Sequence, residues 1–381
     1  MTDDTVTNDT AQNQPVKAAA SDSAVLSIDL AAVQQNYQHM QKAAGQAETA
    51  AVVKADGYGL GMAQVAEALA AAGCTSFFVA QSGEALALRQ ILPQAVIYVL
   101  NGLPLGAAAQ FADAGLRPCL NSLAQIEEWQ NHCRQTTSHP ACLFVDTGFN
   151  RLGLSAEAVA DLSDKPDLFE GWELSLIASH LACADTPEHP MNKAQLEAFT
   201  FALSQLPDAP ASLANSGGVL LGAAYHFDMV RCGIALYGGS PDGTTASALA
   251  PVASLRAPIL QIRNLSAGDS VGYSADFAAT GEMTIGIVSL GYADGLGRHF
   301  GRRAGHAKVM LSGFDIPIIG RISMDSLAVD VTDCPQAAQI GDMVEIFGRN
   351  NPIDRLAGQG GSISYELLTS LGSRYNRLYT S

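Results

Sequence analysis

Between residues 25 and 250, short apolar runs alternate with longer stretches whose apolar positions recur at three- and four-residue intervals. The short runs predict strands at residues 52–54, 77–80, 96–100, 117–121, 143–147, 174–180, 211–215 and 229–233. Helical periods fall between most of them, at residues 61–72, 82–90, 105–114, 122–131 and 192–206. Ser82 with Glu84, and Ser122, offer capping groups at two helix starts. Strands that alternate with helices build a parallel sheet. Eight of them predict a (β/α)8 barrel of TIM type, with an open doubly wound sheet as the structural alternative.

Past residue 251 the period changes. Two-residue alternation broken by Gly- and Pro-containing turns predicts strands at 258–263, 283–290, 306–311, 314–319, 327–331 and 343–347. The expected fold class is therefore α/β: a barrel over residues 24–252, then a mostly-β C-terminal domain over residues 253–381. A late helical stretch, 364–371, is expected to fold back onto the barrel mouth. The loop at 183–192 holds two prolines and is expected to be a lid or an irregular cover. Residues 1–23 are polar, without the basic start and apolar centre of a signal peptide, and read as a disordered tail.

Composition narrows the partners. The chain is 48% apolar, enough for a sizeable core, yet no apolar run reaches the ~20 residues that cross a bilayer. A net charge of −16 argues against nucleic acid as a main partner. It leaves room for a small phosphate held locally by backbone N–H groups. The seven cysteines are odd in number and form no CxxC pair, which reads as reduced thiols of a cytoplasmic protein. No metal site is expected.

The candidate chemistry lies at the C-terminal ends of the predicted barrel strands: Lys54, Asp146 with Thr147, His180, Asn215 with Ser216, and Arg231. In a barrel those ends converge on one mouth, where active sites sit. Lys54 closes an apolar run and precedes a Gly-rich turn, expected to be flexible. Desolvation lowers an ammonium's pKa and turns it into a nucleophile or base. The alternative is a lysine that snorkels to solvent. Arg231 is embedded in an apolar strand and needs a partner; a structural pair with a carboxylate is the alternative to a functional role. Ser216-Gly-Gly and Gly233-Ile234 offer backbone N–H groups to a phosphate, or are simply tight turns. A carbonyl-reactive amine, a phosphate nest and a buried arginine together are what pyridoxal phosphate requires. In the β half, Tyr292 follows a strand in Gly291-Tyr-Ala-Asp-Gly, and Gly320-Arg-Ile-Ser-Met-Asp is a second compact polar motif. Tyr292 reads as an acid or base if cations surround it, or as a turn tyrosine on a sheet edge.

Lys54-Ala-Asp-Gly-Tyr-Gly, Asp146-Thr-Gly-Phe-Asn-Arg-Leu-Gly, Ser179-His-Leu-Ala-Cys-Ala-Asp, Ala214-Asn-Ser, Met229-Val-Arg-Cys-Gly-Ile-Ala-Leu-Tyr-Gly and the two β-half motifs stand in this order. In that order they resemble the motifs of the alanine racemases, from about residue 25 to the C-terminus. The resemblance implies a barrel that holds pyridoxal phosphate, a β domain, and a head-to-tail homodimer with shared active sites. It implies that Lys54 holds the cofactor and acts as one base, and that Tyr292 of the other subunit is the opposite base. Tyr58, Ser216 and the N–H groups of Gly233 and Ile234 would hold the phosphate, with Asn215 beside them and Tyr375 or Ser373 as a late contributor. Arg231 would bond the pyridine nitrogen. An arginine keeps its own proton, so the ring stays a weaker electron sink. Arg151 would meet the cofactor and the substrate carboxylate, and Met324 and Asp325 would serve the substrate. His180 would link Arg231 to Tyr292, and with Arg231 would make the phenol a better base.

The departures are as informative. Many members carry a carbamylated lysine two residues before the Asp of the Asp-Thr-Gly motif, where it orients the arginine; Phe144 stands there, so Arg151 must be held otherwise. Leu60 replaces a usual histidine and Ser323 a common cysteine. The implied reaction is conversion of L-alanine to D-alanine for cell-wall precursors. A broad-specificity racemase is the nearest variant, and a decarboxylase or a cofactor-carrying homeostasis protein of the same barrel type are further alternatives. The last two lack the Tyr292 motif.

Overall fold

The computed structural model describes residues 23–242, 248–301 and 306–381. The expected tail lies outside these, apart from Ser23. Strands are numbered in chain order. The first nine are β1 (Val25–Asp29), β2 (Glu48–Val52), β3 (Ser76–Val79), β4 (Val96–Val99), β5 (Arg117–Leu120), β6 (Pro140–Phe144), β7 (Glu173–Ala178), β8 (Ala211–Ser212) and β9 (Met229–Cys232). The rest are β10 (Ala253–Leu265), β11 (Ser270–Val271), β12 (Phe277–Ala278), β13 (Met283–Val288), β14 (Lys308–Leu311), β15 (Phe314–Ile319), β16 (Leu327–Asp330), β17 (Met343–Phe347) and β18 (Asn376–Thr380).

Two compact units form. One comprises Ile28–Ala253 with Ile363–Thr369 and Tyr379–Ser381. Its sheet runs β8-β7-β6-β5-β4-β3-β2-β9, all pairings parallel. The open ends meet: Asp228 N–H donates to Ala211 O (3.0 Å) and Arg231 N–H to Ala214 O (2.9 Å), closing the eight strands into the expected barrel. A parallel sheet must have both faces buried, and closure buries one of them inside the barrel. Strands β3, β5 and β6 accordingly carry wholly or nearly wholly buried side chains.

The predicted strands match in number but not in every bound. β2 ends at Val52 and β6 at Phe144, so Lys54 and Asp146 lie beyond their strands. The helix at Ser82–Ile91 starts one residue early for a serine cap. Gln81 is the cap residue, and Glu84 Oε2 accepts the N–H groups of Ala80 (2.8 Å) and Gln81 (3.0 Å). Ser122 does cap Leu123–Gln135. A further helix, Leu30–Ala44, buries Ala32, Val33, Tyr37, Met40 and Ala44 at helical spacing, a period the strand-centred reading passed over. The loop at 183–192 is irregular and cross-braced, with Asn192 Nδ2 donating to Cys183 O (3.1 Å) and Thr186 O (3.0 Å).

The other unit comprises Ser254–Ser362 and Ser370–Leu378, with the residues leading to Ser27. Its sheet order is β13-β16-β15-β14-β17-β10-β1-β18, and β10 also pairs β13. The 13-residue β10 makes this possible. Its first half pairs β17 from Leu255↔Phe347 to Pro258↔Met343, and its second half pairs β13 from Gln261↔Ile287 onward. The register shifts between Ile259 and Gln261, and a bulge of this kind bends a strand. Six antiparallel strands thus close on themselves, around a core that includes Val271, Ile285, Ile319 and Ala328.

Candidate active site

After β2 the chain enters a single turn of left-handed helix. Ala55, Asp56, Gly57 and Tyr58 have φ of 53°, 53°, 61° and 55°. Each non-glycine residue in this region costs roughly 1–2 kcal/mol. The turn is rigid rather than flexible as the glycines had implied. Glu84 Oε1 accepts Ala55 N–H (2.7 Å), Asp56 Oδ1 accepts Met62 N–H (2.9 Å), and Gly57 and Gly59 donate back to Val53 and Ala55 (3.0 and 2.8 Å). The helix Ser364–Thr369 packs on the turn, as expected for the late helical stretch. A Cβ on Gly59 would stand 2.2 Å from Leu368 O. Lys54 opens this turn. Burial pushes its amine below the usual lysine range; the Arg151 charge pushes the same way and Glu84 opposes.

Arg231, at 3% exposure, has no carboxylate partner among the described residues. Its Nη1 donates to Ser212 O (2.8 Å) and Ser212 Oγ (2.6 Å), and its Nη2 to Ser179 O and more weakly to Leu213 O (3.4 Å). The expected alternative of an Arg–carboxylate pair is thus overturned: carbonyls at the strand ends disperse the charge. Burial lowers the guanidinium to about 10. Its Nε donates to nothing among the described residues.

Ser216 lies beside it in the chain's fold, opening the short helix Ser216–Leu220, which Asn215 caps through Gly218 N–H (2.9 Å). Ser216 Oγ accepts Gly233 N–H (2.8 Å) and, weakly, Ala235 N–H (3.4 Å). With both N–H groups received, the hydroxyl's own proton finds no acceptor among the described residues. The Tyr58 hydroxyl is close by: a Cβ on Gly233 would stand 2.3 Å from it. Burial holds this phenol well above its ordinary range and so protonated, and its ring stacks on Tyr237 (4.5 Å). Tyr58 Oη, Ser216 Oγ and Arg231 Nε are thus three donors without an acceptor among the described residues. That donor set suits a phosphate and a ring nitrogen, the two ends of pyridoxal phosphate.

Beyond β6, Asp146 shapes the loop that follows. Its carboxylate accepts the N–H groups of Gly148 and Phe149 (2.8 Å each) and of Arg151 (3.2 Å). The Arg151 guanidinium lies over the Phe149 ring, 4.1 Å from its centre, and Phe149 meets the His180 ring edge-to-face at 5.6 Å. His180 stands 3.5 Å from both Arg231 Nη2 and Asn215 Nδ2. Burial first, then the charges of Arg231, Arg151 and Lys54, drive its pKa well below the usual range. This favours the neutral imidazole and speaks against a charge on His180 as the means of making a phenol a better base. Three cations gathered in a chain of net charge −16 favour an anionic ligand. Glu84, Phe149 and Tyr237 are site residues the sequence reading missed. The last two sit inside motifs already singled out.

In the β unit, Tyr292 N–H donates to Ser323 O and Ala293 N–H to Met324 O (3.0 Å each), which brings the two polar motifs together. Asp294, buried, and Asp325, exposed, both pair with Arg374 (3.2 and 2.8 Å). Tyr292 and Met324 remain 39% and 52% exposed. Tyr375 is buried and its hydroxyl has no partner among the described residues, while Ser373 is exposed. Ile234 is buried next to Gly233. Among the described residues no cluster could hold a metal ion, and no helix is long and apolar enough to cross a membrane.

A closed parallel barrel with a strained strand-end lysine and donors set for a phosphate defines a cofactor-dependent barrel enzyme. Family models for the alanine racemase N-terminal and C-terminal domains match residues 28–241 and 252–379. The biosynthetic alanine racemase of Agrobacterium fabrum is 43% identical over 363 residues, 93% of each chain. The alanine racemase of Acidiphilium cryptum is 44% identical over 356 residues, 93% of this chain and 98% of its own. The crystal structure of the Bartonella henselae alanine racemase with covalently bound pyridoxal phosphate is 42% identical. It superposes with a TM-score of 0.90 over 94% of this chain and 99% of its own. The chain belongs to the alanine racemase family.

Proposed function

We propose that this protein interconverts L- and D-alanine with pyridoxal phosphate, providing D-alanine for cell-wall precursors. The observation that carries the reading is Lys54: an amine depressed by burial and by Arg151, fixed on a strained turn beside a donor set with no internal acceptor. Pyridoxal phosphate, when bound, supplies the electron-withdrawing ring that makes an amino acid's Cα–H acidic. Tyr58, Ser216 and the Ile234 N–H would bind its phosphate, while the Gly233 N–H is received by Ser216 Oγ. Arg231 Nε would bond its ring nitrogen without giving up a proton, because about 10 is still far above neutrality. Lys54 Nζ would hold the cofactor and, with its lowered pKa, carry a proton to or from one face of Cα. Arg151 and the backbone at Met324 would hold the substrate carboxylate, with Asp325 fixing Arg374 beneath.

Racemisation needs a second proton carrier on the other face, and Tyr292 Oη is the candidate. The exposure of Tyr292 and Met324 supports a homodimer in which each protomer supplies this motif to the other's barrel. Seven free cysteines support a reducing, cytoplasmic setting. The reading is tested by incubating the purified protein with L-alanine in deuterated water. Loss of optical rotation together with Cα deuteration is expected. Carbon dioxide release would make it a decarboxylase, and a cofactor absorbance band without exchange would make it a carrier. Equal rates with serine, lysine and arginine would make it a broad-specificity racemase.

A further inference from the structure

We infer that Phe149 is the residue that positions Arg151, by presenting its ring face to the guanidinium, and so sets the grip on the substrate carboxylate. The inference rests on the proposed role of Arg151 in holding that carboxylate. Arg151 is exposed, and its guanidinium has no ion pair or hydrogen bond among the described residues; only its backbone N–H is fixed, by Asp146. Phe144, where a charged partner would be sought, is 7% exposed and belongs to the buried end of β6. What the guanidinium does meet is the Phe149 ring, 4.1 Å from its centre. That is well inside the ~6 Å over which a ring quadrupole attracts a cation.

The ring is itself held on both sides. Its backbone N–H is fixed by Asp146 Oδ1 (2.8 Å), and its ring meets His180 edge-to-face. Asn150, in the left-handed region at φ 57°, turns the chain so that residues 149 and 151 can stack. An aromatic face also differs in kind from a carboxylate. It orients the guanidinium without neutralising it, so all of Arg151's charge stays available to an incoming carboxylate and to Lys54. The sum of these contacts makes a chain from His180 through Phe149 to Arg151.

The test compares Phe149→Leu, which keeps apolar volume but loses the ring face, with Phe149→Tyr, which keeps both. For Phe149→Leu the KM for alanine is expected to rise about 3- to 10-fold with kcat changed less, and Phe149→Tyr is expected to restore it. A packing role alone would leave Leu and Tyr alike. In an Arg151→Gln background, Phe149→Leu is expected to have no further effect on KM; an undiminished effect there overturns the inference. A second readout needs no turnover. In 15N-arginine-labelled protein, the Arg151 Nε–H signal, assigned by its loss in Arg151→Lys, is expected to be ring-shifted in wild type and Phe149→Tyr and unshifted in Phe149→Leu. An unshifted signal in wild type overturns the stacking itself. A shifted signal with an unchanged KM in Arg151→Gln would keep the stacking but remove the carboxylate role.

Discussion

The barrel-mouth cluster and the Tyr292–Asp325 cluster are finished to different degrees by their own units. Around Lys54 and Arg231, backbone carbonyls, Ser212 and Glu84 answer the buried groups, and only donors suited to a ligand are left over. Around Tyr292, the backbone is tied down by Ser323 and Met324, yet the side chains that would do the chemistry stand exposed. A group meant to work in a dry site gains from burial, as the lowered pKa of Lys54 illustrates. An exposed phenol gains nothing until another surface covers it. The contrast separates buried groups answered within the barrel unit from a motif whose side chains stand exposed.

The largest effects should come from breaking each cluster at its reactive group. Lys54→Ala and Tyr292→Phe should each lower racemisation by about 10²–10⁴-fold. They should differ in kind. Tyr292→Phe should spare Cα–H exchange from one enantiomer, and equal exchange from both would end the two-base assignment. Mixing the two inactive variants sharpens the comparison further. If protomers share sites, random mixed dimers contain one intact site and recover about a quarter of wild-type activity. Activity that stays at the floor after subunit exchange would place both groups in one chain.

Next in size is stability. Arg231→Leu removes a buried guanidinium from three carbonyls and a hydroxyl, and should cost about 3 kcal/mol. Asp325→Asn, in an exposed pair with Arg374, should cost at most about 1 kcal/mol. Urea unfolding of both variants measures the difference, and equal costs would mean that the two clusters are not built differently.

His180 gives a smaller, pH-dependent contrast. Its folded pKa is depressed, so below the unfolded value near ~6.5 the unfolded chain binds a proton that the folded one refuses. Stability is therefore lost as pH falls from about 6.5 toward 5, with a slope of at most ~1.4 kcal/mol per pH unit from this group. His180→Gln should flatten the slope by up to that amount, measured as urea midpoints at pH 7.0, 6.0 and 5.5. A slope unchanged by the substitution would show that His180 titrates normally.

The alternation of apolar runs made the eight barrel strands and six of the β-unit strands legible, because each is buried on one or both faces and says so in its period. The strand ends were less clear. Val53 continues the apolar run up to Lys54 in sequence, but β2 stops at Val52, ahead of the left-handed turn that starts at Ala55. That turn was illegible: one glycine among Ala55, Asp56 and Tyr58 carries no signal for four left-handed residues. Part of what holds them is Glu84, from a helix 29 residues beyond Ala55. Arg231 taught the same lesson, since a carboxylate partner is the reasonable expectation and the carbonyls that replace it exist only once the barrel closes.

The smallest predicted effect isolates that turn. Ala55 at φ 53° bears a penalty of roughly 1–2 kcal/mol that glycine would not. Glycine also loosens the unfolded chain, at a cost of about 0.4–1 kcal/mol. Ala55→Gly should therefore leave stability unchanged or raise it by up to about 1.6 kcal/mol, against the usual destabilisation by glycine within helices. Ala55→Val, with a branched Cβ in the left-handed region, should instead lose at least about 1 kcal/mol. Differential scanning of the two variants gives the sign. If Ala55→Gly destabilises as an ordinary helical substitution would, the turn is not strained, and the rigidity of Lys54 must come from packing alone.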